Sequence, residues 1–332
     1  MSAAPLAAER AIAQQAVLAA SRVCQEVQQR LVAGSTLQKG DKSPVTVADF
    51  AAQAIVSHML AGEFPDLPMV GEEDAAALRE PANADLAAQV VSSVQAVLPD
   101  LAADEVFAAI DRGTWAGGPT GRHWTLDPID GTKGFLRLDQ YAVALALIED
   151  GEVVLGVLGC PNLPVDAADP DGARGCIFTA VRGQGATSRS LDDATETPVT
   201  VSTLSDVTRA RFCESVEKAH SNQSHSARVA ELLGITAPPF RIDSQCKYAA
   251  VARGDAEVYL RLPTRPGYVE KIWDHAAGVA VVTEAGGTVT DVRGEPLDFS
   301  LGRTLEANKG VIVTNGRFHD EVVSAVRTVL GV

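Results

Sequence analysis

The stretch that most constrains this chain is Trp124–Arg137, which reads W-T-L-D-P-I-D-G-T-K-G-F-L-R. Its first three residues are typical of the end of a buried strand. Two aspartates follow, Asp127 and Asp130, with Pro128 between them. Because proline disfavours the helical conformation of the residue before it, we expect this segment to stay extended or to turn. Two carboxylates on such a segment converge on one point, which suits a hard divalent cation that prefers oxygen ligands.

The next two residues, Gly131 and Thr132, are placed to open a helix or a turn, and the free N–H groups of such a start favour a phosphate. The stretch would then hold metal ligands beside an anion-binding site. Taken alone, the D-x-x-D-G pattern favours a plainer interpretation, a surface turn in which Asp130 faces water, because Asp and Gly are common turn residues. Other parts of the chain must decide between the two.

Composition excludes some classes of function. The chain has 332 residues, 46% of them hydrophobic, which is enough for the core of one large or two medium domains. The net charge of −15 argues against a nucleic-acid-binding surface, whereas an acidic site that binds metals can still take a small phosphorylated substrate. No apolar run is long enough to span a bilayer, and no secretory signal is evident at the start. We expect a cytoplasmic location by default and leave an organelle open.

The five cysteines show neither C-x-x-C nor the spacing of a zinc site, which indicates a reducing compartment. Cys160 and Cys176 flank a Pro- and Asp-rich insert, and they would approach each other if that insert is a hairpin loop. We expect them to be buried, unpaired thiols.

Hydrophobic periodicity predicts a helix-rich start, then an antiparallel sheet, then a second half in which helices and strands alternate. The fold class is therefore α+β followed by α/β. We place a domain boundary in the polar stretch 186–206, giving an N-terminal domain 1–200 and a C-terminal domain 201–332. The predicted helices of the first half are Met1–Ala33, one starting at Thr46, Asp85–Leu98 and Asp104–Asp111. Its strands are Tyr141–Ile148, Val153–Leu158, Ile177–Val181 and Thr197–Val201, with a hairpin turn at 149–151. The second-half elements are Ala227–Leu233, Pro239–Ile242, Cys246–Ala252, Ala256–Leu260, His275–Glu284, Thr288–Asp291, Gly310–Thr314 and Phe318–Leu330.

Two further acidic positions precede the central stretch. Asp49 falls in the first turn of the helix predicted from Thr46, where complementing the helix dipole is the plain explanation. Glu72 and Glu73 follow a short apolar strand that ends at Gly71. Like charges so close repel one another unless they are solvated or bound to cations, so a solvated loop and a metal ligand are the two alternatives.

Four polar residues stand out in the second half. Asp274 begins a predicted helix in K-I-W-D-H-A-A-G, so N-capping is its plain explanation. Lys247 and Arg261 are equally compatible with ordinary surface cations. A lone histidine such as His220 is more often a surface or capping residue than a ligand contact.

These strings together resemble the inositol monophosphatase superfamily of lithium-sensitive, magnesium-dependent phosphatases. The matching strings are D-P-I-D-G-T at 127–132, K-S-P-V-T-V-A-D at 42–49 with slightly tighter spacing, G-E-E at 71–73, and W-D-H-A-A-G with E-A-G-G at 273–287. G-T-K-G-F-L-R, E-K-A-H-S, D-S-Q-C-K-Y and Y-L-R-L-P are similar to the 3'(2'),5'-bisphosphate nucleotidases of plants and fungi. The resemblance spans essentially the whole chain except 162–175 and 186–200, and it implies a layered α-β-α-β-α sandwich.

The resemblance also implies a metal site. Glu72, Asp127 and the main-chain carbonyl of Ile129 would hold one Mg²⁺, and Asp127, Asp130 and Asp274 a second. A third, weaker ion would bind at Glu72. Asp49, paired with the Thr132 hydroxyl, would activate the attacking water. Glu73 would orient a neighbouring ligand.

The same resemblance implies a nucleotide site. The N–H groups of Gly131 and Thr132 would bind the scissile phosphate. The other implied substrate contacts are His220, Ser221, Ser244, Lys247, Arg261 and Asp274, with Lys247 and Arg261 at the second phosphate and His220 near the base.

The implied activity is Mg²⁺-dependent hydrolysis of adenosine 3',5'-bisphosphate to AMP and phosphate, with the 2',5' isomer and 3'-phosphoadenylyl sulfate as further substrates and with inhibition by Li⁺. An inositol polyphosphate 1-phosphatase is the alternative in the same superfamily. A non-catalytic phospho-ligand or metal sensor is the alternative of another class, and it would show a lost ligand or a lost Asp49–Thr132 pair. We expect a small nucleotide as the partner, no nucleic acid or membrane partner, and a monomer or weak homodimer.

Overall fold

The computed structural model describes residues 6–33, 43–216, 223–263 and 267–332. Its helices are α1 (Ala7–Ala33), α2 (Ser43–Glu63), α3 (Ala84–Gln95), α4 (Ala103–Asp111), α5 (Thr132–Leu136), α6 (Gln223–Leu232), α7 (Cys246–Arg253), α8 (Ala276–Glu284) and α9 (His319–Leu330). Its strands are β1 (Met69–Gly71), β2 (Arg122–Asp130), β3 (Ala142–Glu149), β4 (Glu152–Pro164), β5 (Arg174–Val181), β6 (Ala186–Ser190), β7 (Thr197–Val199), β8 (Phe212–Glu214), β9 (Phe240–Arg241), β10 (Val258–Arg261), β11 (Thr288–Thr290) and β12 (Val311–Thr314).

Two sheets alternate with three helical layers. A seven-stranded sheet in the order β1 to β7 carries α1 and α2 on one face. Its other face packs on α7 and α8, which also contact a five-stranded sheet in the order β11-β12-β10-β8-β9. The outer face of this second sheet is covered by α6 and α9. The predicted α-β-α-β-α sandwich is therefore confirmed.

The alternation of small and large residues along β3 explains why its two faces accept different partners. Val143, Leu145 and Leu147 pack among the side chains of α1 and α2. The alanines between them belong to the core that faces α8. Because successive side chains of a strand point to opposite faces, one face of β3 is bulky and the other is thin enough for a helix to approach closely. At Gly156 of β4 that approach is so close that a Cβ would lie 2.7 Å from the carbonyl oxygen of Ala277.

Helix α2 begins earlier than predicted. It starts at Ser43 with Pro44 in its first turn, where proline is tolerated, rather than at Thr46. Asp49 therefore lies beyond the first turn, where the helix dipole no longer accounts for a carboxylate. That plain explanation of Asp49 is wrong.

The structure also tests the predicted hairpin turn, the two cysteines beside the insert and the polar stretch 186–206. The hairpin at 149–151 is confirmed, since Asp150 and Gly151 both have positive φ, as a two-residue turn between β3 and β4 requires. Cys160 and Cys176 face each other across β4 and β5 as buried free thiols. The stretch 186–206 is not wholly irregular, because β6 and β7 lie in it. The first sheet ends at Val199 and the second starts at Phe212, on either side of the boundary that we propose near residue 200.

No helix among the described residues combines the length and the apolar character needed to cross a bilayer.

Candidate active site

A cleft of about 540 Å³ opens where β2, α5, α7 and β10 meet. Ten of the residues that the sequence singled out line it: Glu72, Asp127, Ile129, Asp130, Gly131, Thr132, Ser244, Lys247, Arg261 and Asp274. Asp49 is buried behind this wall. His220 and Ser221 lie outside the described residues.

A bulge at the end of β2 brings Asp127 and Asp130 to the same side. Asp127 pairs with Ala144 and Asp130 pairs with Ala142, so three steps along β2 match two steps along β3. In a regular strand, residues three apart point to opposite faces, but one extra residue restores the same face. The strand thus continues through Asp130 instead of ending at Leu126, and both carboxylates face the cleft.

Glu72 reaches the same place from the neighbouring strand. Strands β1 and β2 run parallel, so their carboxyl ends lie side by side, and the Glu72 N–H donates to the Leu126 carbonyl at 3.2 Å. The Glu72 side chain is open to the cleft, but desolvation by the surrounding protein and the charges of Asp274 and Glu73 raise the pKa of Glu72 to about 7. A carboxyl with so high a pKa indicates that its surroundings lack compensating positive charge.

The side-chain amide of Gln53 on α2 fixes the backbone after Glu72. Its Nε2 donates to the carbonyls of Glu73 and Ile110, and its Oε1 accepts from the Glu73 N–H at 3.1 Å. Gln53 is completely buried. No sequence motif marks Gln53, because a single glutamine on the buried face of a helix forms no recognisable pattern.

Within the described ranges of the chain, two buried carboxylate oxygens have no hydrogen-bond partner, Oδ1 of Asp49 and Oδ1 of Asp127. Burial and neighbouring acids, with Glu72 among them, raise the pKa of both groups well above the ordinary range. No hydrogen bond between Asp49 and Thr132 is found in the described part of the chain. Buried carboxyls normally have partners, so unpartnered oxygens in an acidic cluster fit a site for divalent cations.

Lys247 of α7 and Arg261 of β10 form a cationic wall of the cleft. Lys247 is buried with its Nζ 5.2 Å from the ring centre of Tyr259, and burial lowers its pKa while Asp130 opposes that shift. Arg261 donates from Nε to Glu270 at 2.8 Å and from Nη2 to Asp274 at 3.2 Å. Asp130 also accepts from the Gln245 N–H at the start of α7.

Glu270 was not predicted, yet it organises this wall. Although burial opposes the shift, the hydrogen bond from His275 and the charge of Arg261 lower the pKa of Glu270 to about 2. An ionised Glu270 can only accept, so His275 Nε2 donates to it at 3.2 Å, and His275 Nδ1 accepts from the Tyr248 hydroxyl at 2.7 Å. The sequence offered a signal, since Glu270 lies directly before the K-I-W-D-H-A-A-G motif that contains Asp274.

Glu270, Asp274 and His275 offer ligand atoms within 4.8 Å of one another. Arg261 already contacts both carboxylates of this group, so one guanidinium offsets part of their charge. Among the described residues, no lysine or arginine forms an ion pair with Glu72, Asp127 or Asp130.

Glycine is required where α5 meets α7. Gly131 has φ +92° and caps α5, and a Cβ on it would lie 2.8 Å from the Ser244 Cβ. Ser244 itself has φ +63°, which is unusual for a residue other than glycine and is typical of functional sites. The carboxylate of Asp243 anchors this turn by accepting from the Ser215 hydroxyl at 2.7 Å and from Arg137.

The chain is similar to known proteins over almost its whole length. The model of the inositol monophosphatase family matches residues 6–330. The 3'(2'),5'-bisphosphate nucleotidase of Emericella nidulans is 47% identical over 97% of this chain and 98% of its own length. The enzymes of that name from Oryza sativa and Schizosaccharomyces pombe are each 46% identical over 97% of this chain and cover 94% and 96% of their own lengths.

Solved structures share the fold at lower identity. The inositol monophosphatase from Anabaena superposes with a TM-score of 0.65 at 23% identity, covering 98% of this chain and 97% of that one. An inositol monophosphatase from Zymomonas mobilis gives 0.64 at 17% identity, covering 98% and 100%. The chain belongs to the inositol monophosphatase family.

Proposed function

We propose that this chain is a Mg²⁺-dependent phosphomonoesterase that hydrolyses adenosine 3',5'-bisphosphate to AMP and phosphate. The observation that carries the proposal is one cleft lined by converging carboxylates at the ends of β1 and β2 and by two cations, the buried Lys247 of α7 and the half-buried Arg261 of β10. Such a division suits a substrate with two phosphates, one bound through metal ions and one bound by side-chain cations. The names of the relatives support the same substrate, and the 2',5' isomer and 3'-phosphoadenylyl sulfate share its chemistry.

Mg²⁺ would bind at the acidic wall, with Glu72, Asp127 and the Ile129 carbonyl as ligands at one position and Asp127, Asp130 and Asp274 at another. A third, weaker ion would bind at Glu72. The unpartnered Asp127 oxygen and the raised pKa values support this assignment. When bound, Mg²⁺ neutralises phosphate oxygens, lowers the pKa of water and stabilises the leaving alkoxide.

Asp49 and Thr132 would manage the proton of the attacking water. The raised pKa of Asp49, caused by burial and by the charges of Glu73 and Glu72, makes it a better proton acceptor near neutral pH. The water oxygen would form the new bond to phosphorus as the bond to the 3' oxygen breaks, and the proton would pass to Asp49 from a water that the Thr132 hydroxyl orients. The 3' oxygen then takes a proton from solvent.

The N–H groups of Gly131 and Thr132 would hold the scissile phosphate at the start of α5. Ser244, Lys247 and Arg261 would bind the other phosphate, with Arg261 held in place by Glu270. His220 and Ser221 would lie on the base side, and Asp274 would contact substrate from the metal side.

The test is phosphate release from adenosine 3',5'-bisphosphate and inositol 1,4-bisphosphate, side by side, with Mg²⁺, with EDTA and with added Li⁺. We expect fast, Mg²⁺-dependent, Li⁺-sensitive release from the nucleotide. Release from the inositol substrate alone would keep the metal site but overturn the roles of Lys247 and Arg261. Absence of release from both would favour a sensor. Asp130→Asn should abolish turnover in a folded protein, and near-normal activity of that variant would contradict the assignment of Asp130 as a Mg²⁺ ligand.

We also propose a monomer or weak homodimer without nucleic-acid or membrane partners, in the cytoplasm by default with an organelle left open. The net charge of −15 supports the absence of a nucleic-acid partner. Sedimentation of the purified chain and imaging of a tagged copy would test these points.

A further inference from the structure

The two halves of the proposed metal site come from distant parts of the chain. Glu72 follows β1, whereas Asp274 precedes α8. Both side chains line the same cleft, and two carboxylates that share a cleft repel each other when they are ionised. Mutual repulsion would therefore separate the two segments unless other contacts hold them together.

Arg303 makes such contacts although it does not line the cleft. Its Nη2 donates to the Gly71 carbonyl at 2.6 Å, and its Nη1 donates to the carbonyls of Gly113 and Trp115 at 3.0 and 2.9 Å. Gly71 is the residue directly before Glu72. All three acceptors belong to the N-terminal half, and Arg303 belongs to the C-terminal half.

The same side chain also contacts the segment that carries Asp274. Its guanidinium lies 4.9 Å from the ring centre of Trp273, the residue directly before Asp274. Two backbone hydrogen bonds join the same segments. The Arg303 carbonyl accepts from the Ile272 N–H at 3.2 Å, and the Leu305 N–H donates to the Glu270 carbonyl at 2.9 Å.

The close approach of the two halves is confirmed by their glycines. A Cβ on Gly117 would lie 2.7 Å from the backbone of Gly302, so the two loops touch through their main chains. The guanidinium of Arg303 thus has little freedom. A planar group with five N–H donors can serve several carbonyls and stack on an aromatic ring at once, which an ammonium cannot do.

We propose that Arg303 is a positioning residue that clamps the segments carrying Glu72 and Asp274, so that the two ligands stay at the spacing that divalent cations require. The inference rests on the proposed function only for the identity of the ligands. A purely structural arginine would contribute to stability but would leave the affinity for Mg²⁺ unchanged.

The test uses the full chain freed of metal and titrated with Mg²⁺ by calorimetry. The variants are Arg303→Met, Arg303→Lys and, as matched control, Arg293→Met. Arg293 also contacts a carboxylate and a backbone carbonyl, those of Asp291 and Ala307, but these partners lie within its own half. Melting temperatures in EDTA report the loss of stability for each variant separately.

We expect the Kd for Mg²⁺ to rise about 10- to 100-fold in Arg303→Met, the usual effect of losing a group that orients metal ligands. Arg303→Lys should restore only part of this loss, and Arg293→Met should stay within about twofold of wild type. The Mg²⁺ concentration for half-maximal phosphate release should rise in parallel, with kcat at saturating Mg²⁺ little changed.

An unchanged Kd in folded Arg303→Met would overturn the inference, and so would an equal rise in Arg293→Met. If Arg303→Met does not fold, the Kd of Arg303→Lys decides in the same way, because wild-type affinity there would show that the clamp is not needed. Failure of the proposed metal site gives a different result. Wild type would then either bind no Mg²⁺ or bind Mg²⁺ in a way that Asp130→Asn does not change.

Discussion

The pKa of Glu72 gives the sharpest quantitative prediction about stability. Without metal, the folded protein raises this pKa from 4.5 to about 7, whereas the unfolded chain leaves it at its ordinary value. The folded state therefore binds the Glu72 proton more tightly. Its stabilising effect is complete below about pH 4.5 and is lost as pH rises through about 7.

The magnitude follows from the size of the shift. At 1.36 kcal/mol for each tenfold change, a rise of about 2.5 corresponds to roughly 3 kcal/mol. The Glu72 side chain faces the open cleft, so water screens part of this and we expect about 1–2 kcal/mol. At about 2.1 cal/mol/K of unfolding entropy per residue, this is a change of about 1–3 °C in the melting temperature of a 332-residue chain.

Glu72→Gln removes the charge and nearly keeps the shape. In EDTA at pH 8 we expect the variant to melt about 1–3 °C higher than wild type, and at pH 4.5 we expect no difference. With saturating Mg²⁺ the order should reverse, because wild type gains stability from the bound ions and the variant loses a ligand. Thermal melts at the two pH values, with and without Mg²⁺, measure all four quantities.

A matched control is Glu80→Gln, an exposed glutamate outside the cleft, which should melt like wild type in all four conditions. If Glu72→Gln is less stable than wild type in EDTA at pH 8, then Glu72 has a compensating partner and the acidic wall is not poised for cations.

Three further predictions concern single sites. Glu270→Gln removes a charged partner of Arg261, so KM for adenosine 3',5'-bisphosphate should rise about tenfold with kcat nearly unchanged. An equal rise in KM for 3'-AMP, which lacks the second phosphate, would contradict the role of Arg261 at that phosphate. Gly131→Ala places a Cβ 2.8 Å from the Cβ of Ser244 at φ +92° and should lower kcat at least about tenfold. The control Gly62→Ala, where a Cβ on α2 has no atom within 4 Å, should leave kcat unchanged and raise stability by about 0.5–1 kcal/mol. Burial lowers the pKa of His123 to about 4, so this side chain should cost about 3 kcal/mol of stability as pH falls from about 6.5 to 4. Over that range His123→Leu should lose about 3 kcal/mol less than wild type, and the exposed control His58→Gln should lose as much as wild type, as urea melts at each pH would show.

The cleft residues could be predicted from sequence where chemistry and turn geometry coincide. D-P-I-D-G-T combines two acids with a proline and a glycine, and each of these limits the backbone enough to imply a convergent site. The bulge that makes Asp127 and Asp130 share a face could not be predicted, because it depends on the register with β3, a strand that follows later in the chain.

Residues that act through backbone contacts were beyond reach for a related reason. Gln53 and Arg303 serve carbonyls that are distant in sequence, and any residue type can supply a carbonyl. No motif marks such a partner. The short strands β6 and β8 were missed because neighbouring strands, rather than their own composition, stabilise them.

The early start of α2 has a functional consequence. An aspartate in the first turn of a helix would be stabilised by the helix dipole, and its pKa would fall. Asp49 lies deeper, with an unpartnered oxygen and two acidic neighbours, and its pKa rises instead. A carboxyl with a lowered pKa would be a weak proton acceptor near neutral pH, whereas one with a raised pKa matches the basicity that general base catalysis needs. Burial and the charges of Glu73 and Glu72, rather than the helix dipole, therefore set the basicity of Asp49.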